Sequence, residues 1–400
     1  MKEPFLAAIP LLSKVEAAGF EAYFVGGSVR DCLLGKKIED VDIATSATPE
    51  EIKTIFQKTI DVGIDHGTII VLFNGIPYEV TTFRTETEYV DFRKPKEVQF
   101  IRSLEDDLKR RDFTMNAIAM DKKGCLIDPF NGRKSIDDKI IQTVGKAEER
   151  FSEDALRMMR ALRFFSQLDF EIEKATYEAL VSLGHLLEKI SVERKLAEFE
   201  KLLVGRNRSQ ALLVLIETDL FKYLPGMSLF KHSIQKTARL DSQALSLLEM
   251  WTLLLSQCEL HAKECLAFLK SWKMPVKKIK TLSLLIKWLH FRQENNWTTL
   301  ALYEAGSGEI VASVERVFNV LQGNDVDKQT SSLMVSYAAL PLKQRGELDV
   351  TGDDLQAWFQ KGPGSWIKET IEQIEIAVIN NEIRNQNDSI REWLLGCNQK

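Results

Sequence analysis

The stretch FVGGSVRDCLLGKKIEDVDIATS, residues 24–46, places several carboxylates inside an apolar pattern. Its second half, residues 35–46, predicts a β-strand, because apolar residues recur in it after a glycine. Side chains two residues apart on a strand share a face, so Asp40 and Asp42 are expected to lie side by side. Two adjacent carboxylates repel each other, and Mg²⁺ is usually held by ligands of this type. The pair therefore predicts a divalent metal site.

The residues before this pair favour phosphate binding. An apolar strand ends at Gly26 and Gly27, and a helix follows with Arg30 in its first turns. Backbone N–H groups at such a turn can approach an anion closely, and Arg30 can bind a phosphate. Alone, a Gly-Gly pair before a helix is usually only a turn. Beside Asp40 and Asp42 it predicts phosphoryl transfer, in which two metal ions stabilise the attacking and leaving oxygens.

Composition narrows the class of protein. The chain has 400 residues, 44% of them hydrophobic and 28% charged, which predicts two to four globular domains. Its first residues show no secretory leader, and its longest apolar stretch, residues 244–255, is interrupted by Glu249 and too short for a membrane span. The five cysteines are scattered, which is typical of reduced thiols and predicts a cytoplasmic protein. The five histidines have no ligand spacing, so we expect neither a zinc site nor a histidine base.

The pattern of elements changes along the chain. Residues 67–83 predict two strands joined at Asn74-Gly75, a strong hairpin signal. After Val144 the strand signals stop and helical periodicity dominates. The predicted helices cover residues 152–168, 191–205, 242–257, 277–291 and 368–383. The sequence therefore predicts an α+β fold, with a small α/β head followed by an all-α body.

Three motifs in order resemble one known family. They are GGSVRDCLLG with EDVDIAT at residues 26–45, RRDFTMNAIAMD at residues 110–121, and EDALRMMRALRF at residues 153–164. The first resembles the nucleotidyltransferase superfamily, whose fold is shared with DNA polymerase β. Together they resemble the bacterial class II tRNA nucleotidyltransferases, the CCA-adding enzymes, and most closely those of Bacillus-type bacteria. The motifs cover about the first 165 residues, and the helical remainder also fits the family.

The resemblance implies a reaction and an organisation. The enzyme would add C, C and A to the 3′ end of tRNA from CTP and ATP, release pyrophosphate, and use two Mg²⁺ ions. It also implies a homodimer. The implied domains are a catalytic head at 1–145, a neck that recognises the base at 146–204, a body at 205–290 and a tRNA-binding tail at 291–400. Between Arg84 and Arg102 the polar segment TETEYVDFRKPKEVQFI resembles the flexible loop that class II enzymes use when switching from C to A addition.

The resemblance also assigns roles to residues. Asp40 and Asp42 would hold the metal and carry catalysis, and Glu79 is a candidate third carboxylate that polarises the RNA 3′-hydroxyl. Asp112 and Asn116 would shape the ribose pocket. The implied nucleotide-binding residues are Gly27, Arg30, Arg111, Asp154, Arg157, Arg160 and Arg163.

Asp154 and Arg157 are expected to read the incoming base. Cytosine and adenine both offer an amino donor beside a ring-nitrogen acceptor, so a carboxylate and a guanidinium can bind either one. Guanine and uracil present a carbonyl and a protonated nitrogen there, which mismatches both contacts. On a helical wheel these two residues share one half with Glu153, Arg160 and Arg163, opposite an apolar half. The alternative is an amphipathic surface helix with an Asp/Arg ion pair.

A basic stretch offers a candidate surface for RNA. Residues 261–292 contain eight lysines and arginines and one acid, Glu264, although the whole chain has a net charge of −5. Phosphate contacts need such a cluster, and the alternative is a solvated helical face.

Three other functions remain open from the residues. A bacterial poly(A) polymerase shares the head and neck motifs, although residues 61–84 resemble the CCA-adding branch more. A CC-adding enzyme would typically lack the flexible loop. A non-catalytic RNA-binding protein on a transferase fold would be favoured by loss of Asp40 or Asp42, and both are present.

Overall fold

The computed structural model describes residues 1–90 and 94–397, and the chain divides into two units, Met1–Ala238 and Arg239–Lys400. The first unit combines β-sheet and helices, whereas the described part of the second is helical. This arrangement confirms the predicted α+β class with a mixed sheet near the start of the chain. The fourfold division at 145, 204 and 290 stays a prediction.

Within the described residues, the strands all belong to the first unit. They are β1 (Ala22–Val25), β2 (Asp42–Thr45), β3 (Thr59–Gly63), β4 (Thr68–Phe73), β5 (Ile76–Thr82), β6 (Arg84–Val90), β7 (Lys94–Phe100), β8 (Ala119–Met120), β9 (Leu126–Ile127), β10 (Ile140–Ile141) and β11 (Glu171–Ile172).

The helices of this unit alternate with the strands along the chain as far as β11, and the last four helices follow without further strands. They are α1 (Phe5–Ala17), α2 (Gly27–Leu33), α3 (Pro49–Ile55), α4 (Leu104–Lys109), α5 (Gly132–Asp137), α6 (Ala147–Glu153), α7 (Leu156–Leu168), α8 (Lys174–Leu183), α9 (Val192–Leu203), α10 (Arg208–Glu217) and α11 (Lys231–Ala238).

One seven-stranded sheet forms the head, in the order β3-β4-β5-β2-β1-β8-β9. Its strands pair antiparallel except for β2 and β5, which are parallel. One apolar cluster on this sheet includes Val25 and Ala44 from the strands and Leu104 and Leu108 from α4. The sheet and α4 are thereby held together beside the end of β1.

The predicted strand over residues 35–46 is wrong in its first half. Only Asp42–Thr45 is a strand, and Asp40 lies in the exposed segment before it. The reason is the short partner strand, because the last pair between β1 and β2 joins Val25 to Asp42. Gly26 then turns the chain away with φ +71°, so β1 offers no partner to the residues before Asp42.

The predicted hairpin is confirmed. β4 and β5 pair antiparallel around Asn74 and Gly75, whose φ values of 51° and 80° suit a tight two-residue turn. In the segment that resembles a flexible loop, β6 and β7 pair as a two-stranded antiparallel ribbon, and a role in switching from C to A addition stays a prediction. The tip of that segment, residues 91–93, lies outside the described residues.

Two further expectations need correction. Strands do not end at Val144, because β11 pairs with β10 in a short parallel ladder. The helix predicted over 152–168 is two helices, since α6 ends at Glu153 and α7 begins at Leu156. Asp154 lies in the break with an extended backbone. It therefore does not share a helical face with the arginines of α7.

The described second unit consists of helices and their connections. The helices are α12 (Leu247–Gln257), α13 (Ala262–Ser271), α14 (Val276–Glu294), α15 (Thr299–Glu304), α16 (Gly308–Leu321), α17 (Thr330–Ala338), α18 (Gly352–Phe359), α19 (Ser365–Ile379) and α20 (Asn387–Cys397). A buried cluster that includes Leu355, Ile374, Val378 and Ile390 joins the last three helices. No helix in the described parts of the chain is long and apolar enough to cross a membrane.

Candidate active site

A cavity of about 830 Å³ in the first unit collects most of the predicted site residues. Its walls come from the turn after β1, from the segment that follows α4, and from the helices α7 and α9. Its basic side chains are Arg30, Arg84, Arg110, Arg111, Arg157, Arg160, Arg163, Arg194 and Lys201, and its carboxylates are Asp42, Asp112 and Asp154. Nine basic groups against three acids favour a strongly anionic ligand.

Strand register places Asp42, which lines this cavity, beside a second carboxylate. Asp42 is opposite Val25 in β1 and opposite Glu79 in β5. Burial, followed by the charge of Glu79, raises the pKa of Asp42 to about 6, while Arg111 opposes the rise. Asp40, in the exposed segment before β2, adds to the rise. Of the two predicted aspartates, only Asp42 lies in the strand and lines the cavity.

The absence of a side chain at Gly26 lets the backbone come close to the side chains of Asp42 and Arg111. A Cβ atom on Gly26 would lie 3.3 Å from both Asp42 Oδ2 and Arg111 Nη1, which is tighter than most real contacts, and the backbone has a positive φ. Glycine is therefore required at this position on two counts. The predicted site residue Gly27 is the first residue of α2 and also lines the cavity.

A chain of hydrogen bonds joins four predicted residues across the cavity. Arg30 Nη1 donates to Asn116 Oδ1 at 2.7 Å, and Asn116 Nδ2 donates to Asp112 Oδ1 at 3.0 Å. Arg160 donates to Asp112 Oδ2 through Nε at 2.7 Å. Burial disfavours the ionised Asp112, but Arg160 and Asn116 outweigh burial and hold its pKa far below the usual value. Each side chain in this series is thus oriented by the hydrogen bond to its neighbour.

Asp107, which the sequence reasoning missed, holds a second group of cavity arginines. It is 1% exposed and accepts from Arg110 Nη2 at 2.7 Å and Arg111 Nη2 at 3.1 Å. It also accepts from the backbone N–H of Arg84, the first residue of β6, at 3.3 Å. Burial is outweighed by Arg110 and Arg111, so the pKa of Asp107 is lowered. Arg84 Nη1 in turn donates to the backbone carbonyl of His66.

Asp154 and Arg157 both line the cavity, and each is held by other residues. Asp154 Oδ2 accepts from Arg194 Nη2 at 2.6 Å, and Oδ1 accepts from Arg194 Nη1 at 3.2 Å and the Leu156 N–H at 3.1 Å. Arg157 donates to Glu153 Oε2 at 2.7 Å and to the backbone carbonyl of Arg110 at 2.7 Å. Asp154 is therefore held by Arg194 of α9, and Arg157 is held by Glu153 and the backbone after α4.

The remaining arginines of α7 are held by α9 and by an aromatic ring. Arg163 Nη1 lies 3.1 Å from Glu198 Oε2, and burial, followed by the charge of Arg160, lowers the pKa of Arg163 to about 10. The guanidinium carbons of Arg30, Arg160 and Arg163 lie 5.0, 5.6 and 4.1 Å from the centre of the Phe164 ring. Phe164 therefore packs against three cations of the cavity wall.

Helix α9 was predicted as a helix, but none of its residues was predicted to belong to the site. Arg194, Glu198 and Lys201 follow one another at helical spacing, and all three face the cavity or its arginines. The sequence contained a sign of this role, because these residues form the polar face of a predicted amphipathic helix. Such a face is usually solvated, and only tertiary packing distinguishes the two cases.

Among residues 1–90 and 94–397, no three His, Cys, Asp or Glu side chains form a group that could hold a metal ion.

The basic stretch lies in the second unit, on α13, α14 and their connection. Six of its lysines are exposed, namely Lys263, Lys270, Lys273, Lys277, Lys280 and Lys287. Arg292 does not belong to this surface, because it makes a bidentate ion pair with the buried Glu315.

Three family models match separate parts of the chain. Residues 22–142 match a family model described as the poly A polymerase head domain. Residues 169–230 match a probable RNA and SrmB-binding site of polymerase A, and residues 244–394 match a putative second domain of tRNA nucleotidyltransferase.

Whole proteins match over the full length. The CCA-adding enzyme of Geobacillus sp. strain WCH70 is 47% identical over 401 residues, covering 100% of this chain and 98% of the relative. The CCA-adding enzyme of Bacillus cereus strain Q1 is 45% identical and covers 99% of each chain. The crystal structure of the Bacillus stearothermophilus CCA-adding enzyme in complex with CTP is 45% identical, with a TM-score of 0.92 over 100% of this chain and 98% of that one. The chain belongs to the CCA-adding enzyme family of tRNA nucleotidyltransferases.

Proposed function

We propose that this protein adds C, C and A to the 3′ end of tRNA, taking CMP twice from CTP and AMP once from ATP. In each step the RNA 3′-hydroxyl attacks the α-phosphorus of the nucleotide, and the bond to the pyrophosphate leaving group breaks. The observation that carries the proposal is the cavity, in which nine basic groups converge beside the Asp42 carboxylate of β2.

The arginines suit the triphosphate. Guanidinium groups bind phosphate oxygens through paired N–H donors, and these donors are strongest when their direction is fixed. Arg30, Arg111, Arg160 and Arg163 are each held by a neighbouring carboxylate or amide, so little ordering is needed when the nucleotide binds. Gly27 would leave room for the phosphates at the start of α2, and Asp112 with Asn116 would shape the ribose pocket.

The carboxylates fit magnesium. Asp42 is desolvated beside the charges of Glu79 and Asp40, and Gly26 leaves room at its Oδ2 atom, so a divalent cation would relieve the repulsion. Mg²⁺ is commonly held by one or two carboxylates together with substrate phosphates, which agrees with a site of only two aspartates. Two such ions would supply charge neutralisation for the attacking and leaving oxygens. Glu79, which pairs with Asp42 in the sheet, would be the third carboxylate near the RNA 3′-hydroxyl.

Asp154 and Arg157 would select the base. A carboxylate has about four acceptor positions, and contacts among the described residues use three of those on Asp154. The remaining position could accept from the amino group of cytosine or adenine, with Arg157 donating to the ring nitrogen. Arg194 fixes the direction of the carboxylate. Selection of C and A over U and G would then need no nucleic-acid template.

Product length on a tRNA lacking its 3′ end tests the proposal. With CTP alone we expect two added nucleotides, with ATP alone none, and with both nucleotides three. A poly(A) polymerase would extend with ATP alone, a CC-adding enzyme would stop after two nucleotides in every mixture, and a non-catalytic RNA-binding protein would leave the tRNA unchanged. Any of these three results would contradict the proposed reaction and support the corresponding alternative.

A further inference from the structure

The outer half of the head sheet, made of β3, β4 and β5, carries apolar side chains on both of its faces. One face is packed, since four residues of β4 and β5 that point to it are each at most 4% exposed: Ile69, Val71, Tyr78 and Val80. Side chains alternate along a strand, so the residues between these four point to the other face. On the less buried face of an antiparallel sheet, polar side chains are usual.

Three apolar side chains lie on that second face. Ile60 of β3 is 49% exposed, Leu72 of β4 is 37% exposed, and Ile70 of β4 is half-buried. Ile60 is opposite Ile70 in the strand register, and Leu72 follows Ile70 on the same face. We call these three residues the apolar ledge. Contiguous exposed apolar surface of this kind usually marks a binding site, because covering it removes apolar area from water.

The strand register connects the apolar ledge to the proposed catalytic carboxylates. Ile70 is opposite Glu79 in β5, and Glu79 is opposite Asp42 in β2. One row of side chains therefore crosses four neighbouring strands on a single face, in the order Ile60, Ile70, Glu79 and Asp42. Neighbouring strands lie about 4.8 Å apart, so Ile70 is about 5 Å from Glu79 and about 10 Å from Asp42 across the sheet. One nucleotide can bridge this distance.

The proposed reaction identifies what approaches this row. The RNA 3′-hydroxyl must come close to Asp42 and Glu79, so the last nucleotide of the RNA lies beside these two carboxylates. Their negative charges repel phosphate oxygens, whereas every nucleobase has an uncharged ring face that can lie on an apolar surface. An apolar surface next to the carboxylates therefore suits the base of the last nucleotide and not its phosphate.

We propose that the apolar ledge binds the ring face of the terminal base of the RNA and thereby positions the RNA 3′-hydroxyl at Asp42 and Glu79. The inference rests on the proposed function, to which it adds the surface that holds the acceptor end. Contact through a ring face is tolerant of base identity, in contrast to the hydrogen bonds proposed for Asp154 and Arg157. Apolar contact is also non-directional, so the RNA end can shift by one nucleotide after each addition.

The test uses the full chain and the double variant Ile60→Thr/Leu72→Thr, because threonine suits a strand but presents less apolar surface. The matched control is Ile76→Thr/Leu126→Thr. It changes an isoleucine and a leucine of the same sheet that are 44% and 36% exposed and lie on the opposite face. For each protein, kcat and KM are measured for a tRNA that ends just before CCA, at saturating CTP, and KM is measured for CTP. A second tRNA carries an abasic last nucleotide.

The double variant should lower kcat/KM for the tRNA by roughly threefold to tenfold, mainly through KM, and leave KM for CTP unchanged. Removal of the last base should lower kcat/KM by the same factor in wild type and control. The factor should be smaller in the double variant, because both changes remove the same contact. Ile60→Val/Leu72→Met, which retains the apolar surface, should behave as wild type. If the double variant does not fold, Ile60→Thr alone should give a smaller change of the same sign.

Two results would overturn the proposal. One is equal kcat/KM for the tRNA in the double variant and the control, or an equal effect of base removal in both. The other is a change in the molecular mass of the double variant in solution with unchanged kcat/KM, which would assign the apolar ledge to contact with a second copy of this chain. Failure of the proposed function would appear separately, as wild-type protein that lengthens no tRNA.

Discussion

The proposed nucleotide cavity and the lysine-rich surface of α13 and α14 are both basic but are built differently. In the cavity the positive groups are mostly arginines bound to buried carboxylates, such as Arg111 to Asp107 and Arg160 to Asp112. On α13 and α14 they are mostly exposed lysines. Asp107 is 1% exposed, so the cavity arginines are fixed by groups that water barely reaches.

This difference separates two uses of positive charge. Fixed guanidinium groups give defined directions, which transfer of a phosphoryl group and reading of a base require. Exposed ammonium groups give an attractive field that tolerates many geometries, which suits contacts along an RNA backbone. Mutations in the cavity should therefore change catalysis and base choice, whereas mutations on the surface should change affinity and its dependence on salt.

The largest expected effect is at the carboxylate edge of the cavity. Asp42→Asn should reduce CMP addition by a factor on the order of a thousand or more, because several kcal/mol of transition-state stabilisation are lost. The melting temperature should stay equal or rise, since one of three neighbouring negative charges is removed. Glu39→Gln, at an exposed position three residues earlier, is the control and should leave the rate unchanged. Near-normal transfer by Asp42→Asn in Mg²⁺ would contradict the metal assignment.

The second effect concerns base choice. In the proposed reaction, Asp154→Ala would remove the acceptor for the amino group of C and A, and with it the group that repels the carbonyl of U and G. We expect the preference for CTP over UTP to fall by roughly ten- to a hundredfold. The measurement is kcat/KM for all four nucleotides on a tRNA that ends just before CCA. A variant that is slower with every nucleotide but keeps its C-over-U ratio would show that Asp154 only supports the break between α6 and α7.

Arg194→Gln sharpens the same comparison. It leaves the Asp154 carboxylate in place but removes the bidentate partner that fixes its direction. We expect a smaller loss of the C-over-U ratio than in Asp154→Ala. An equal or larger loss would indicate that Arg194 itself contacts the base.

The next prediction concerns Asp107, whose carboxylate binds two cavity arginines. Asp107→Asn should raise the KM for CTP by about tenfold with a smaller change in kcat, because Arg110 and Arg111 lose a charged partner. It should also lower the free energy of unfolding by about 3–5 kcal/mol, since a buried ion network is broken. Asp106→Asn at the exposed neighbouring position should change neither quantity. A stability loss with unchanged KM would limit Asp107 to a structural role.

The smallest effect is expected on the lysine-rich surface. Replacing Lys277, Lys278 and Lys280 by Gln should weaken tRNA binding severalfold and make its salt dependence shallower by about two, because fewer counterions are released. CTP binding measured without RNA should hardly change. An unchanged salt slope would return this stretch to the status of a solvated helical face.

Local patterns predicted the elements well where the deciding residues are neighbours in the chain. Asn74-Gly75 indicated the hairpin, and periodicity indicated α9 and α14, since turn preference and amphipathicity act over a few residues. Patterns were least successful where a distant partner decides. The strand over 35–46 is cut short because β1 ends at Val25, and the helix over 152–168 is interrupted at Asp154, whose carboxylate binds Arg194 of α9.

The sequence by itself determined the chemical content of the site: a glycine turn, a carboxylate pair, a surplus of arginines and their order along the chain. These features identified the family because they recur as motifs within short segments. Only the tertiary structure decided which charges meet, such as Asp154 with Arg194, Asp107 with Arg111 and Arg292 with Glu315. The physical reason is that a charged side chain can pair with any opposite charge that the fold brings within reach. Packing of the apolar faces, which the polar residues do not reveal, selects that partner.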